Sequence, residues 1–334
     1  MEIKTTADRE KAATLQLLWD RGRKDLLQAG VPESDLDARL LLLEAFQIDM
    51  AHFLIRRMEQ LDMDDPQVKA AADQYEAWIS KRRERVPLQH LTGRQEFMGL
   101  DFFVNEHVLI PRQDTEILVE LVMRRRPAKE GERLLDMCAG SGCIGVSLAA
   151  LGSYGDVTEA DISLPALEIA WKNGRHCLEA AGKKTNILEE KPGSGNRWER
   201  ALCWRSENGV KGCGKMTFVQ SDLFQNLDKS LKYDIIVSNP PYIPSKVIEG
   251  LEPEVRDHEP RMALDGTEDG LRFYRCLAKE SRDYLPAGGE LFLEIGYDQG
   301  EAVKELLKEN GFSDIEVVKD HAGLDRVVHG VFRG

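Results

Sequence analysis

Between Arg133 and Glu294 the chain alternates short apolar runs with helical patterns, and this rhythm limits the fold more than any other feature. Arg133-Leu-Leu-Asp-Met137, Asp156-Val-Thr-Glu-Ala160, Met216-Thr-Phe-Val-Gln220, Ile235-Ile-Val237 and Glu290-Leu-Phe-Leu-Glu294 read as strands. Helical patterns at Ile144–Ala150, Leu164–Ala180 and Leu271–Tyr284 fall between them. Strands joined through helices run parallel, with right-handed crossovers and helices on the sheet faces. Near the end, Asp314–Val318 and Val327–Phe332 follow one another with no helix between, which predicts an antiparallel pair. The expected fold is α/β, with a mostly parallel sheet and one antiparallel strand near the C-terminus.

At 334 residues the chain exceeds what one core usually organises, so two domains are expected. Residues 1–86 read as a helical bundle. A first helix from about Thr6 stops at Gly30, ahead of Val31-Pro32. Ser34 and Asp37 form a capping-box pattern before Leu36, Leu40, Leu41 and Leu43. Asp65-Pro66 pairs an N-cap with proline at the first helical position and opens a helix through about Arg85. Its apolar positions are Val68, Ala72, Tyr75, Ile79 and Val86. Taken alone, such a bundle serves packing or oligomerisation as readily as substrate recognition. Residues 87–112 change to short extended runs with Gly93 and Gly99 as turns, a hairpin linker. The sheet domain then occupies 113–334 and is broken at 183–215 by a charged, glycine-containing stretch. That stretch reads as a projecting, partly flexible insertion. Within it Gly209-Val-Lys-Gly-Cys-Gly-Lys215 approaches a P-loop, but Met216 stands where Ser or Thr is needed. Cys203 and Cys213 lack the paired spacing of a zinc site, and no metal is expected.

Two motifs carry chemistry. Asn239-Pro-Pro-Tyr242 directly follows the apolar run Tyr233–Ser238. Consecutive prolines lack N–H groups and hold φ near −65°, so the strand ends in a stiff turn at its carboxyl end, where open α/β sheets bind ligands. The Asn239 carboxamide oxygen and the Pro240 carbonyl can each accept one N–H from a planar NH2 group. Tyr242 can lie against the face of that group. This is a device for holding an amide or exocyclic amine, and it implies group transfer to nitrogen.

The second motif, Asp136-Met-Cys-Ala-Gly-Ser-Gly-Cys-Ile-Gly145, follows a strand and opens a helix. Gly140 and Gly142 allow a tight turn and close approach to a ligand. With Gly145 the spacing is also that of a dinucleotide fingerprint, so a dehydrogenase must be weighed. An acid just before the glycines would repel a pyrophosphate, and the Asn-Pro-Pro-Tyr turn has no part in hydride transfer. S-adenosylmethionine, bearing ammonium and sulfonium charges, suits the acidic lining better. Asp136 can attract its amino-acid moiety, and Asp161 can take both ribose hydroxyls. Because Ser163 follows, Asp161 can also be a plain helix cap or surface carboxylate.

With these residues located, the chain resembles the class I S-adenosylmethionine-dependent methyltransferases, whose sheet is Rossmann-like. Within them it is similar to the peptide chain release factor glutamine methyltransferases. The resemblance rests on Pro87–Gly93, Glu96–Leu100, Leu109-Ile-Pro-Arg-Gln-Asp-Thr-Glu116, Leu135–Cys143, Ser221-Asp-Leu-Phe224, Asn239–Tyr242 and Glu294-Ile-Gly296. It implies methylation of the side-chain amide nitrogen of the glutamine in the Gly-Gly-Gln motif of class 1 release factors. By it, Asn239, Pro240 and Tyr242 are the catalytic set, with Pro241 completing substrate binding. Asp136, Ala139, Gly140, Ser141, Gly142, Cys143, Asp161, Asp222, Leu223 and Asn239 hold S-adenosyl-L-methionine, which leaves as S-adenosyl-L-homocysteine. The helical domain helps grip the release factor. The 183–215 insertion and Ala139, where the family often has Thr or Gly, depart from the pattern. The turn is shared with methyltransferases acting on ribosomal-protein glutamine and on nucleic-acid exocyclic amines, so both stand as alternatives. A binding module without activity is a further one.

A formal charge of −13 argues against direct nucleic-acid binding, which needs clustered Lys and Arg, but allows docking on a basic protein. No apolar stretch approaches the ~20 residues that span a bilayer, so no membrane partner is expected. Met1–Asp8 lacks the apolar core of a signal peptide. Six irregularly spaced cysteines make no disulfide framework. A cytoplasmic enzyme is expected.

Overall fold

A computed structural model of the chain describes residues 13–192, 198–206 and 213–334. Two compact units emerge: residues up to Gly93 together with Pro253–His258, and Arg94–Glu252 with Glu259–Gly334.

The first unit is helical. Its elements are α1 (Leu15–Gln28), α2 (Ser34–Phe46), α3 (Met50–Arg56), α4 (Pro66–Arg83) and α5 (Leu88–Thr92). Thr14 caps α1 through its hydroxyl, which accepts the Leu17 N–H at 3.1 Å; the expected start at Thr6 lies outside the described residues. Asp65 caps α4 by accepting the Gln67 N–H at 2.8 Å. The expected capping box at Ser34 does not form. Glu33 takes the cap position without a side-chain bond, and Asp37 turns inward to Arg82 at 2.8 Å because a buried guanidinium needs a counter-charge. The core joins Leu18, Leu26, Leu41, Leu42, Phe53, Tyr75 and Ile79. Of the leucines that follow Ser34, Leu41 is buried while Leu36 and Leu40 are more than one-third exposed. Arg82 and Arg85 both donate to Glu254, which ties the Pro253–His258 turn of helix into this unit.

The second unit opens with a hairpin, β1 (Arg94–Phe97) and β2 (Leu100–Phe103). Helices α6 (Gln113–Arg125), α7 (Cys143–Leu151) and α8 (Leu164–Ala180) follow, interleaved with β3 (Arg133–Met137) and β4 (Asp156–Asp161). Then come β5 (Lys183–Pro192), β6 (Trp198–Ser206), β7 (Cys213–Gln220) and β8 (Ile235–Ser238). Three short helices, α9 (Ser245–Ile248), α10 (Pro253–His258, in the first unit) and α11 (Arg261–Leu264), precede α12 (Arg272–Glu280). The chain ends with β9 (Glu290–Glu294), α13 (Gly300–Glu309), β10 (Phe312–Lys319) and β11 (Asp325–Phe332). The strands form one nine-stranded sheet in the order β10-β11-β9-β8-β3-β4-β7-β6-β5. Pairs β3–β4, β4–β7, β3–β8 and β8–β9 are parallel, while β11 runs antiparallel to both neighbours, as expected. The order reverses between β3 and β8, which puts the ligand crevice of such sheets at their carboxyl ends.

The 183–215 stretch differs from the expected flexible projection. Its described residues are strands: β5 and β6 pair antiparallel, and β6 pairs antiparallel with β7, so the stretch lengthens the sheet at one edge. Leu202 and Trp204 are buried in the core with Met216 and Phe218. Gly174 lets α8 approach them; a Cβ there would sit 3.0 Å from Phe218 and 3.1 Å from the Met216 sulfur. Of the P-loop-like segment, 209–212 lie outside the described residues, while Gly214 and Lys215 are part of β7.

Candidate active site

Loops leaving the carboxyl ends of β3, β4, β7 and β8 surround a cavity of about 420 Å³. Each loop delivers residues singled out from the sequence: Ala139, Gly140, Ser141 and Cys143 after β3, Asp161 closing β4, Asp222 and Leu223 after β7, and Asn239 and Pro241 after β8. The two glycines of the β3 loop do different work. Gly140, at φ +54°, faces open space, with no protein atom within 4 Å of where a Cβ would project. Gly142, at φ +75°, is the N-cap of α7 and packs against Ala170, 3.0 Å from where its Cβ would lie; it does not line the cavity.

Asp161 organises this loop. One carboxylate oxygen accepts the Gly140 N–H at 2.8 Å and the other the Ser163 N–H at 2.8 Å. Burial raises its pKa, and the backbone N–H groups of Ser163, Gly140 and Ile162 oppose that rise. A carboxylate has about four lone-pair sites, so the three backbone N–H groups leave one for an incoming hydroxyl. The cap of α8 is Ser163 itself, whose hydroxyl accepts the Ala166 N–H.

Asp136 is placed differently from the sequence expectation. It is fully buried and absent from the cavity wall; its carboxylate accepts the Gly145 N–H at 2.9 Å and meets the equally buried Glu159. Side chains of a strand alternate between faces, and this one points beneath α7. Burial raises the Asp136 pKa to about 7 and pushes Glu159 well above its ordinary range. Gly145, the third glycine of the fingerprint, is there because a Cβ would collide with the Glu159 carboxyl. It leaves room for an acid pair, not for a pyrophosphate.

The Asn-Pro-Pro-Tyr turn presents Asn239 and Pro241 to the cavity, while Pro240 and Tyr242 do not line it. Tyr242 packs against the core cluster that includes Phe224, Leu291 and Tyr274, and burial raises its phenol pKa. The turn is held from beneath by residues that motif reading missed. Gln299 donates from Nε2 to the Tyr242 carbonyl at 3.0 Å and to the Gly270 carbonyl at 3.3 Å, and its Oε1 accepts the Gly296 N–H at 2.9 Å. Gly266 and Gly270 pack on the Tyr242 backbone; a Cβ on Gly266 would lie 2.8 Å from it. The paired glycines of Asp265-Gly-Thr-Glu-Asp-Gly270 were the available signal. Asn239 donates from Nδ2 to the Thr115 hydroxyl at 3.4 Å. Arg112, on the cavity wall, is anchored by buried Glu259 at 2.6 and 2.7 Å. Among the described residues no cluster of acidic, His or Cys side chains has the make-up of a metal site, and no helix is long and apolar enough to cross a membrane.

A Rossmann-like sheet with a glycine loop after β3, a carboxylate closing β4 and an Asn-Pro-Pro-Tyr turn after β8 is a class I methyltransferase. Relatives narrow the class. The chain is 36% identical over 312 residues to the release factor glutamine methyltransferase of Geobacter sulfurreducens, covering 93% of this chain and 94% of that one. It is 38% identical over 314 residues to that of Moorella thermoacetica, covering 94% and 96%. The model of the PrmC N-terminal domain matches residues 18–93. Among solved structures, the ribosomal protein L11 methylase of Lactobacillus delbrueckii subsp. bulgaricus is similar at TM-score 0.41 and 18% identity, over 69% of this chain and 84% of that one. The chain belongs to the release factor glutamine methyltransferase family.

Proposed function

We propose that this enzyme uses S-adenosyl-L-methionine to methylate the side-chain amide nitrogen of the Gly-Gly-Gln glutamine in class 1 peptide chain release factors, in the cytoplasm. The observation that carries the reading is that Asn239 and Pro241 open on the same cavity as Gly140, Asp161 and Asp222. An amide-holding turn and a cofactor loop thus share one space. The residues fit the cofactor: Gly140 is open on the cavity side, Asp161 retains a lone-pair site, and the wall around Leu109, Ile144 and Leu223 is apolar. When bound, S-adenosylmethionine supplies an electrophilic methyl on sulfur. Ala139–Ser141 and Cys143 are read as its cradle, Asp161 as the ribose acceptor, and Asp222-Leu223 as the border of the adenine. Asp136 is read as a support of the loop through Gly145.

A carboxamide nitrogen is a poor nucleophile because its lone pair is delocalised. The Asn239 oxygen, on the cavity wall, is read as the first acceptor of the NH2 group and the Pro240 carbonyl, set back from the wall in the same turn, as the second; together they fix the NH2 plane and favour partial positive charge on nitrogen as the methyl arrives. Alignment contributes several kcal/mol by proximity. No base is needed beforehand, because the methylated, still protonated amide is strongly acidic.

The test is incubation with labelled S-adenosylmethionine and, in parallel, a purified release factor or ribosomal subunits, with the mark located by mass spectrometry. Label on the Gly-Gly-Gln glutamine is expected. Label only on ribosomal protein or RNA would overturn the assignment. Asn239→Ala should lower turnover by at least about a hundredfold while changing cofactor affinity, measured by calorimetry, less than threefold. Equal loss of both would refute the role given to Asn239.

A further inference from the structure

The sequence names an amide-holding Asn, but a carboxamide presents its oxygen or its NH2 equally well, and only the oxygen can receive a substrate N–H. Something must choose. β8 and β9 are parallel, with Ser238 opposite Leu293, so the next residues on each, Asn239 and Glu294, lie side by side where both strands end. Glu294 is 2% exposed, and its Oε2 is buried without a hydrogen-bond partner. Thr115, buried in the first turn of α6, receives the Asn239 Nδ2 at 3.4 Å. Thr115 and Asn239 lie close enough to the Glu294 carboxyl for both to favour its charged form.

We propose that Glu294 is the positioning residue of the reaction: as a carboxylate it accepts from Thr115 and Asn239 and thereby turns the Asn239 oxygen toward the substrate amide. Donor polarity sets the direction. An ionised carboxylate only accepts. The single Thr115 hydroxyl proton is therefore spent on Glu294, and its oxygen must accept from the Asn239 NH2. With the NH2 committed inward, Oδ1 is the atom left for the cavity, which Asn239 lines. The negative charge behind the Asn239 NH2 also polarises the carboxamide, strengthening Oδ1 as an acceptor. A protonated Glu294 gains an O–H donor, so Thr115 can accept from it and the chain of donors loses its fixed direction.

Several groups face Glu294. Arg326 on β11 favours its charged form, and Asp114 on α6 opposes it. The buried phenols of Tyr242 and Tyr274 and the Cys143 thiol stay neutral, their pKa values raised by burial. Burial is the largest influence on Glu294 and leaves its pKa at about 7.

This inference rests on the proposed amide methylation, and its test separates the two. The wild-type enzyme is first assayed with a release factor; no transfer there sinks the functional reading, and no variant is then needed. Given transfer, Glu294→Gln should lower kcat at least tenfold at pH 8, with KM for the release factor and cofactor affinity within about threefold. Wild-type kcat should fall as pH drops through about 7, and that limb should vanish in the variant. Thr115→Val, which keeps the side-chain shape, should lose kcat similarly, and the double variant no more than either single one. A Glu294→Gln enzyme with wild-type kcat, an acid limb that survives the substitution, or multiplicative losses in the double variant would each overturn the proposal. Circular dichroism and the retained cofactor affinity distinguish these outcomes from misfolding.

Discussion

The buried pair Asp136–Glu159 makes a quantitative prediction about stability. Both carboxyls are fully buried; burial is the largest cause raising each pKa, and Asp161 adds further repulsion to both. Two such groups cannot both ionise, so a shared proton is retained in the native state. Unfolded, Glu159 releases its proton near the ordinary value of 4.5. A group whose native pKa is raised contributes stability that is complete below the unfolded value and is lost as pH rises toward the native one. Glu159→Gln removes that titration, keeps the shape, and offers Asp136 a permanent N–H donor. Relative to wild type, the variant should therefore gain about 1.4 kcal/mol per pH unit between about pH 5 and pH 7. Over those two pH units the difference reaches about 3 kcal/mol. Urea unfolding followed by tryptophan fluorescence at several pH values measures it. A variant destabilised by the same amount at every pH would refute the shared-proton account.

Two further substitutions probe the supports around the turn and the helical unit. Gly270→Ala places a Cβ against the Tyr242 carbonyl at a φ of +73°; it should cost about 1–3 kcal/mol and lower turnover at least tenfold, read by thermal melting and methyl transfer. Glu254→Gln should destabilise the helical unit by about 2–4 kcal/mol, because burial raises the Glu254 pKa while Arg85 and Arg82 together hold it down to about 2. That stability is present above the ordinary carboxylate pKa of 4.5 and is lost as pH falls toward 2, so the gap between variant and wild type in urea should close in acid.

The parts of this fold legible in the sequence were those with strong periodicity and little competition. The strands β3 and β9 and the helix α8 fall where the apolar runs placed them, because buried parallel strands and amphipathic helices write plain patterns. The stretch at 183–215 was misread for a physical reason. In β6 the inward positions Trp198, Arg200, Leu202 and Trp204 include a cation, so the alternation looks broken. In space the Arg200 guanidinium lies 5.2 Å from both the Trp171 and the Trp198 ring centroids, so charge and aromatic faces share one packed layer. The placement of Asp136 off the cavity wall was not legible because a motif gives position along a strand but not the face; a step of one residue decides whether a carboxylate meets the cavity or the core.

The site shows a second limit of motif reading, and it bears on catalysis. The diproline fixes two φ angles of the turn and removes two donors, which stiffens the backbone but orients neither the Asn239 carboxamide nor the turn as a whole. Orientation comes from residues scattered along the chain: Thr115 beside the Asn239 NH2, Gln299 under the Tyr242 carbonyl, and Gly266 and Gly270 giving the backbone a place to rest. None of these four touches the wall formed by Gly140, Asp161 and Asp222, except that Thr115 reaches the cavity beside Asn239. Weakening them should therefore leave cofactor binding in place and reduce the rate at which a bound amide is methylated, because acceptors displaced by a fraction of an ångström no longer stabilise the charge that develops on nitrogen. Loss of kcat without loss of cofactor affinity thus follows from supports that lie under the turn and outside the cradle.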